Sequence, residues 1–295
     1  MIDGQTKITG IIGDPVSHSF SPAIQNAAFQ AESLNYVYLA FRVPGEHLGA
    51  AAKAIAALNL AGINVTSPHK ETIISHLHEL SPEAKLLGAV NTVAFSNGRL
   101  KGFNTDVAGF LYLLKKMLPL SVKGEKVCLL GAGGAARAVS LALAKNGIRH
   151  LAIFNRTPEK GEAIRQLLHK NGLFEKEKIS LWPLNKNTFP EIMQRSTFII
   201  NSLSIDPIEE GLLPSDGIFE NLKAAIDLRY NPAKIPFLLW ASSMNGCAAI
   251  SGLDMLLGQG VKSFEILTGR KAPLHIMKDA LAKILAAQQG GNKWT

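Results

Sequence analysis

Short apolar runs alternate with helical patterns through the first third of the chain. Strand-like runs lie at residues 8–12, 36–41, 62–66 and 89–95. Between them, residues 45–59 repeat Leu, Ile and Ala at the spacing of one helical face. A second helix is predicted from Val107 to Leu118, because Pro119 cannot continue it. Repetition of strand, helix and strand predicts a mainly parallel sheet with crossover helices.

The same rhythm restarts after the polar link SVKGEK. A strand at 126–130 leads into a glycine-rich turn and an Ala-rich helix at 135–145. Further apolar runs lie at 150–154, 179–182, 197–201 and 224–228, and helical patterns lie at 253–268 and 273–287. The fold class predicted is α/β with two domains. The first spans residues 1–110 and is completed by helices in 251–295, and the second spans 111–250.

Composition narrows the class of protein. The 295 residues are 47% hydrophobic and 18% charged, which is typical of a globular chain. Two cysteines make neither a disulfide framework nor a metal site, so we expect no metal and a cytoplasmic location. The N-terminus does not resemble a signal peptide, and no apolar window approaches the ~18 residues of a membrane span. We therefore expect no membrane association.

The formal charge of +8 is concentrated in residues 111–250, which carry 18 basic and 12 acidic side chains. No long run of Lys and Arg resembles a nucleic-acid arm, and aromatic residues are only 7%. Nucleic-acid binding is therefore the least favoured class of function. The basic middle of the chain could instead hold a multiply phosphorylated small molecule.

The glycine-rich turn after the strand at 126–130 matches the dinucleotide-binding pattern GxGxxG/A. Gly131 permits the tight turn, Gly133 lets the backbone approach a pyrophosphate, and Ala136 lets the helix lie close to the strand. The helix N-terminus supplies free N–H donors and the positive end of its dipole. The predicted contacts are Gly131, Ala132, Gly133, Gly134 and Ala135.

The end of the next predicted strand indicates which dinucleotide is bound. An NAD-binding protein usually has an acidic residue here, but this chain has Asn155, Arg156 and Thr157. Arg156 can pair with a 2′-phosphate and stack on adenine, while Asn155, Thr157 and Lys160 add donors. The sequence therefore predicts NADP in preference to NAD.

Polar residues of the first domain cluster at strand ends and in loops, where α/β sheets place ligands. Ser19 and Ser21 could present two hydroxyls to one carboxylate, although serine before proline more commonly caps a helix. Lys70 and Asp106 could carry proton chemistry, because an ammonium group stabilises and protonates the alkoxide formed when a ketone is reduced. A surface salt bridge is the alternative, since 36 positions separate the two residues.

Eight segments together resemble the shikimate dehydrogenase family, in order and across nearly the whole chain. They are GDPVSHSFSP with Asn26, GINVTSPHK, GAVNTV, GFNTD, GAGGAARA, FNRT, DLRYNP and GLDMLLGQ. The resemblance implies an N-terminal substrate domain and a Rossmann NADP domain that flank a cleft. It also implies reversible NADPH-dependent reduction of 3-dehydroshikimate to shikimate, in the pathway to chorismate and the aromatic amino acids.

The resemblance also implies roles for single residues. Lys70 would be the acid/base, paired with Asp106, and the protein would act as a monomer or homodimer. Gly252 and Met255 would lie near the nicotinamide, although Met255 also reads as a core residue. The implied substrate contacts are Ser19 and Ser21 to the carboxylate, Thr66, Asn91, Asp106 and Gln259 to the ring hydroxyls, and Tyr230 in the cleft.

The chain departs from the family pattern at residues 201–206 and 233–236, where the usual Thr, Gly-Met and Thr-Pro are missing. In the family, the segment that corresponds to 201–206 forms a wall of the cofactor pocket, so the resemblance does not define that wall in this chain. Two other functions stay open at this point. One is a quinate/shikimate dehydrogenase of broader specificity, and the other is a non-catalytic, regulatory NADP-binding protein.

Overall fold

The computed structural model describes residues 2–185, 194–213, 219, 221–230 and 235–289. The chain divides into two compact units. Unit 1 combines residues 1–109 with residues 257–295, and unit 2 is the continuous stretch 110–256. Both units contain a sheet with helices, so the predicted α/β class is confirmed. The sequence analysis placed the two domain boundaries between residues 110 and 111 and between residues 250 and 251, whereas the units divide after residues 109 and 256.

Unit 1 holds a six-stranded sheet in the order β2-β1-β3-β5-β6-β4. Strands β1, β2 and β3 pair in parallel, whereas β5 is antiparallel to both β3 and β6. The strands are β1 Lys7–Gly13, β2 Tyr36–Arg42, β3 Gly62–Val65, β4 Glu79–Leu80, β5 Thr92–Ser96 and β6 Arg99–Phe103.

The antiparallel part of this sheet was not predicted. Strands β5 and β6 are joined by Asn97 and Gly98, which both have positive φ, at 51° and 72°. Two such residues between strands form the tight turn of a β-hairpin. The sequence analysis did not identify β4 or β6, because β6 carries Arg99 and Lys101 and has no continuous apolar run.

The helices of unit 1 follow the apolar periodicity closely. They are α1 Ser21–Ala31, α2 Leu48–Ala57, α3 Pro82–Leu87 and α9 Leu274–Gln289, while α4 Asp106–Lys116 and α8 Leu253–Thr268 cross the division between the units. The single predicted helix at 45–59 is a 3₁₀ turn at Gly45–His47 followed by α2. Helix α1 packs against α9, so the end of the chain completes the unit that its beginning starts.

Unit 2 holds a fully parallel six-stranded sheet in the order β12-β11-β10-β7-β8-β9. Its strands are β7 Lys126–Leu130, β8 His150–Asn155, β9 Ile179–Pro183, β10 Phe198–Asn201, β11 Ala224–Asp227 and β12 Ala248–Ser251. Its helices include α5 Gly134–Lys145, α6 Pro158–Lys170 and α7 Pro236–Ser242. The sequence analysis did not identify β12, a short edge strand.

The strand order of unit 2 reverses between β7 and β10. From β7 the chain builds β8 and β9 on one side, and it then returns to build β10, β11 and β12 on the other. Open parallel sheets bind ligands beyond the carboxyl ends of their strands at such a reversal. The fold therefore marks the residues after β7, β8 and β10 as the ligand-binding edge of unit 2.

Candidate functional site

Lys70 and Asp106 lie together in unit 1. Lys70 follows β3, and Asp106 is the first residue of α4, three positions after the end of β6. The Lys70 Nζ donates a hydrogen bond to Asp106 Oδ2 at 2.6 Å. The two side chains are 19% and 6% exposed, so this is a largely buried pair. The alternative of a solvent-exposed salt bridge between these residues is therefore wrong.

Asn91 holds the second oxygen of the same carboxylate. Its Nδ2 donates to Asp106 Oδ1 at 2.7 Å and to Thr105 Oγ1 at 2.9 Å. Its Oδ1 accepts from the Thr105 N–H at 2.8 Å. Both amide hydrogens of Asn91 are thus used within the protein, and both oxygens of Asp106 are engaged. The position of the Asp106 carboxylate is therefore fixed, and this carboxylate in turn holds the ammonium group of Lys70 in place.

A buried polar network connects this site to helix α8. Asn64 Nδ2 donates to the Asn91 carbonyl at 3.0 Å, and Tyr38 donates to Asn64 Oδ1 at 2.7 Å. Ser263 Oγ, on α8, hydrogen-bonds to the same Asn64 side chain at 2.8 to 3.0 Å. Gln259 is half-buried one helical turn before Ser263. The sequence analysis placed Asn64 in the polar cluster but missed Tyr38 and Ser263, because nothing local marks them as its partners.

The two serines predicted to hold a carboxylate lie at the start of α1. Ser21 is the first residue of the helix, and the N-cap position is occupied by Phe20. Helix capping, the common role of serine before proline, is therefore not the role of Ser21. Ser19 Oγ accepts the Ser21 N–H at 3.2 Å, so Ser19 does satisfy one donor of the first turn. Ser21 is 8% exposed and Ser19 is half-buried.

Thr66 directly follows β3, four residues before Lys70. It is half-buried, and its N–H donates to the Ile12 carbonyl of β1 at 2.9 Å. A Cβ at Gly13 would approach the Thr66 methyl carbon to 2.3 Å, so the two strand ends meet closely here. The predicted substrate residues Ser19, Ser21, Thr66, Asn91 and Gln259 therefore all belong to unit 1, as Lys70 and Asp106 do.

The glycine turn of unit 2 has two glycines with different requirements. Gly131 has a φ of +100°, and its N–H donates to the Phe154 carbonyl at 2.8 Å. An added Cβ there would lie 2.6 Å from Ser202 Oγ, so the fold itself needs glycine. Gly133 has an ordinary φ of −82°, and an added Cβ would meet nothing within 4 Å among the described residues. Neither the backbone conformation nor the packing of the described residues requires glycine at position 133.

The other residues of the turn build the start of helix α5. The helix begins at Gly134, so Ala132, Gly134 and Ala135 surround its N-terminus, where N–H groups and the helix dipole favour an anion. Ala136 is fully buried, as the close approach of helix and strand requires. This arrangement suits a pyrophosphate group in front of α5.

The predicted phosphate-binding residues follow β8, the strand beside β7. Asn155 Nδ2 donates to the Thr157 carbonyl at 2.7 Å and shapes the turn. Arg156, Thr157 and Lys160 are all exposed, and Lys160 lies in the first turn of α6. The Arg156 and Lys160 side chains are therefore accessible to an anionic ligand at the carboxyl end of the sheet.

Tyr230, Gly252 and Met255 lie near the ends of β11 and β12. Tyr230 is half-buried. A Cβ at Gly252 would lie 2.1 Å from the Leu228 carbonyl oxygen, so this position accepts only glycine. Met255 is 7% exposed, which agrees with its alternative reading as a core residue. Residues 233 and 234 of the second atypical segment lie outside the described residues.

The first atypical segment contains a buried ion pair. Arg229 Nη2 donates to Asp206 Oδ2 at 2.6 Å and to Asp227 Oδ2 at 2.7 Å. Burial opposes ionisation of Asp206, but hydrogen bonds from Arg229 and from two backbone N–H groups outweigh it and lower its pKa. Burial likewise opposes the charge on Arg229, while the two carboxylates raise its pKa. Both shifts favour the charged forms of Asp206 and Arg229.

Neither a metal site nor a membrane span is found in the described part of the chain. Within it, no three or more His, Cys, Asp or Glu side chains are grouped so that they could hold a metal ion. None of its helices combines the length and the apolar composition that crossing a bilayer demands.

Comparison with protein-family models gives three matches along the chain. The shikimate dehydrogenase substrate binding domain matches residues 11–93. The model for shikimate / quinate 5-dehydrogenase matches residues 112–202, and the shikimate 5′-dehydrogenase C-terminal domain matches residues 252–282. The matches cover the glycine turn and all of the strands from β7 to β10.

Individual relatives agree with the family models over nearly the full length. A shikimate dehydrogenase (NADP(+)) of Methanopyrus kandleri is 39% identical over 96% of this chain and 98% of its own. A crystal structure of a shikimate dehydrogenase in complex with NADP+ has a TM-score of 0.84 at 35% identity, with 97% and 98% coverage. The ligand-free 5-ketofructose reductase of Gluconobacter sp. strain CHM43 has a TM-score of 0.75 at 32% identity, with 96% and 100% coverage. The predicted resemblance is confirmed: this chain belongs to the shikimate dehydrogenase family.

Proposed function

We propose that this chain is an NADP-dependent shikimate dehydrogenase, an oxidoreductase that reversibly reduces 3-dehydroshikimate to shikimate in aromatic amino acid biosynthesis. Membership of the family supports this reaction. The buried Lys70–Asp106 pair is the observation that supports catalytic activity in this chain. Cysteine usage and composition further support a cytoplasmic enzyme. A monomer or homodimer remains our expectation for its assembly.

Lys70 is the group that we assign to proton transfer. When a ketone is reduced, negative charge develops on its oxygen, and a positioned ammonium stabilises that charge and donates the proton. Asp106 orients Lys70 through the 2.6 Å contact, and Asn91 orients Asp106. In the direction of shikimate oxidation, the neutral amine of Lys70 accepts the hydroxyl proton. Since both amide hydrogens of Asn91 are already used, we assign Asn91 to positioning of Asp106.

The remaining substrate contacts follow from their chemistry. Ser19 and Ser21 offer hydroxyl donors beside the N-terminus of α1, which favours a carboxylate. Thr66 and Gln259 offer a hydroxyl and an amide for ring hydroxyl groups, and Tyr230 offers a phenol. The side chains of Ser19, Thr66, Tyr230 and Gln259 are half-buried, whereas Ser21 is 8% exposed.

The residues of unit 2 fit NADP. Gly133 leaves open space in front of α5, where a Cβ would stand in the way of a pyrophosphate. Arg156 and Lys160 are exposed cations, with Asn155 and Thr157 beside them, and residues 155–157 contain no carboxylate that would repel a 2′-phosphate. When bound, NADPH supplies the hydride. Gly252 and Met255 remain our candidates for the nicotinamide end.

The function is tested by a spectrophotometric assay of NADP+ and NAD+ reduction with shikimate and with quinate. We expect turnover with shikimate and NADP+ to exceed the other combinations clearly. Equal turnover of quinate would favour the broader quinate/shikimate dehydrogenase, which the shikimate / quinate family model keeps open. Tight NADPH binding without turnover of either substrate would favour a regulatory NADP-binding protein.

Gly133→Val should weaken NADPH binding by at least about tenfold, the effect of losing about 1.4 kcal/mol of binding free energy. The valine would fill space that we assign to the pyrophosphate, and its Cβ would meet nothing within 4 Å among the described residues. Fluorescence titration gives the Kd, and thermal unfolding should show a Tm close to that of the wild type. Gly45→Val, at another open position, is the control. An unchanged Kd would refute the pyrophosphate assignment.

Ser19→Ala should raise KM for shikimate by about tenfold with a much smaller change in kcat, because uniform binding of the carboxylate is lost. Initial rates at varied shikimate and saturating NADP+ give both constants. Ser17→Ala is the matched control, since Ser17 is exposed in the same loop. If both variants keep the wild-type KM, Ser19 only supports the first turn of α1.

A further inference from the structure

The loop that follows β10 is held by a group of buried charges, of which Asp206 lies in the atypical segment. Arg229 Nε donates to Asp227 Oδ1 at 3.0 Å, and its Nη2 bridges to Asp206 and Asp227. Asp206 and Asp227 are 3% and 0% exposed. Asp206 belongs to the atypical segment 201–206, and Arg229 directly precedes Tyr230. The atypical segment 201–206 therefore contacts the DLRYNP segment, which matches the family pattern.

On one side, this network reaches the glycine turn. Asn201 Nδ2 donates to Asp227 Oδ2 at 3.0 Å, and its Oδ1 accepts the Leu203 N–H at 3.0 Å. Between them, Ser202 Oγ donates to the Leu130 carbonyl at 2.5 Å. Leu130 immediately precedes Gly131, whose added Cβ would strike Ser202 Oγ. The loop from 202 to 206 is thus fitted against the turn where we place the pyrophosphate.

On the other side, the network reaches the start of α7 and the end of β12. Asp206 Oδ2 accepts the Phe237 N–H at 3.2 Å, and the Arg229 carbonyl accepts the Gly252 N–H at 3.2 Å. Since Gly252 also lies against Leu228, the turn at 228–230 has little freedom to move. Arg229 therefore ties together the carboxyl ends of three strands: its guanidinium binds Asp206 after β10 and Asp227 of β11, and its carbonyl accepts from Gly252 after β12.

The charges make this arrangement sensitive to the loss of one partner. Two buried carboxylates would repel each other without Arg229, and the planar guanidinium can donate to both at once. Removing the charge of Asp206 releases the 202–206 loop from Arg229 but leaves the Arg229–Asp227 contacts in place. Removing one partner of a buried charge pair costs far more than removing one at the surface.

We propose that Arg229 and Asp206 are positioning residues for the dinucleotide, which fix the 202–206 loop as a wall of the cofactor site beside Gly131. The placement of this loop at the reversal of strand order, next to β7, is what connects it to the cofactor. The proposal rests on the proposed NADP dependence, and it gives the atypical segment a function of its own.

The test compares NADPH binding in Asp206→Asn with the wild type. The substitution keeps the volume and removes the charge. We expect Kd for NADPH to rise about tenfold, while kcat at saturating NADPH stays within about twofold, because the reacting groups are untouched. Glu125→Gln is the matched control, since Glu125 pairs with Lys223 in the same unit but at a more exposed site. Its Kd should not change.

Stability is measured on the same variants to separate positioning from folding. The Kd for NADPH is measured at a temperature well below the unfolding transition. A lower Tm with an unchanged Kd would overturn the proposal, because the network would then only stabilise the fold. Arg229→Lys is the second variant, which keeps the charge but lacks the planar fork of donors that spans the two carboxylates. It should also raise Kd, and it decides the matter if Asp206→Asn does not fold.

The outcome is independent of the proposed reaction. NADPH binding is measured by fluorescence without substrate, so it needs no turnover. Wild-type protein that binds NADPH but does not oxidise shikimate would refute the proposed function and leave this test intact. Conversely, normal shikimate turnover with unchanged Kd values in both variants would refute the positioning role alone.

Discussion

Replacing Lys70 by alanine should lower kcat by about 10²- to 10⁴-fold, the range expected when a positioned general acid is lost. The ammonium group is the only feature removed near the reacting oxygen, and KM for shikimate should change much less, because other residues bind the carboxylate and hydroxyl groups. Steady-state rates in both directions give the two constants. Fluorescence titration should show that NADPH binding is unchanged, since we assign the cofactor to unit 2.

Two controls make this result specific to the chemistry. Lys53→Ala removes an exposed lysine from α2 of the same unit and should leave kcat unchanged. Thermal unfolding should show a lower Tm for Lys70→Ala, because Asp106 loses its cation and its side chain is only 6% exposed. If Lys70→Ala keeps the wild-type kcat, the lysine is a structural partner of Asp106 and takes no part in proton transfer.

Replacing Arg156 by glutamate should weaken NADPH binding by about 10²-fold or more and change NADH binding only slightly. The variant loses charge-assisted hydrogen bonds to the 2′-phosphate and adds repulsion between like charges, which together exceed about 2.7 kcal/mol. A glutamate there can also hydrogen-bond to the ribose hydroxyls of NAD. Fluorescence titration with both nucleotides gives the ratio of the two Kd values.

Arg149→Glu is the matched control for this charge reversal. Arg149 is exposed and lies just before β8, at its amino end, whereas Arg156 follows the carboxyl end. Both substitutions change the net charge equally, so a general electrostatic effect would weaken NADPH in both. Equal losses for NADPH and NADH in Arg156→Glu would contradict the phosphate assignment.

The sequence predicted best those elements whose signal is local. The strand at 126–130 and the helix at 253–268 were predicted with the bounds that the structure has. Each has an uninterrupted apolar pattern with clear boundaries. Strand β6 was missed although Asn97-Gly98 is a strong hairpin signal, because its charged residues hid the alternation of buried and exposed positions.

The contacts of the candidate site were the part that local patterns could not supply. Lys70 and Asp106 meet only because β3 and β6 end on either side of β5, an arrangement set by the antiparallel hairpin that the sequence analysis missed. Ser263 meets Asn64 across 199 positions. Asp206 lies in a segment that departs from the family pattern and Arg229 in one that matches it, and only the fold shows that they are partners.

The division of the chain into a continuous unit 2 and a split unit 1 has a consequence for protein synthesis. Helix α9, which packs on α1, leaves the ribosome after all of unit 2 has emerged. Domains fold as their chain becomes available during translation. We therefore expect a nascent polypeptide to acquire nucleotide affinity before it can recognise its organic acid.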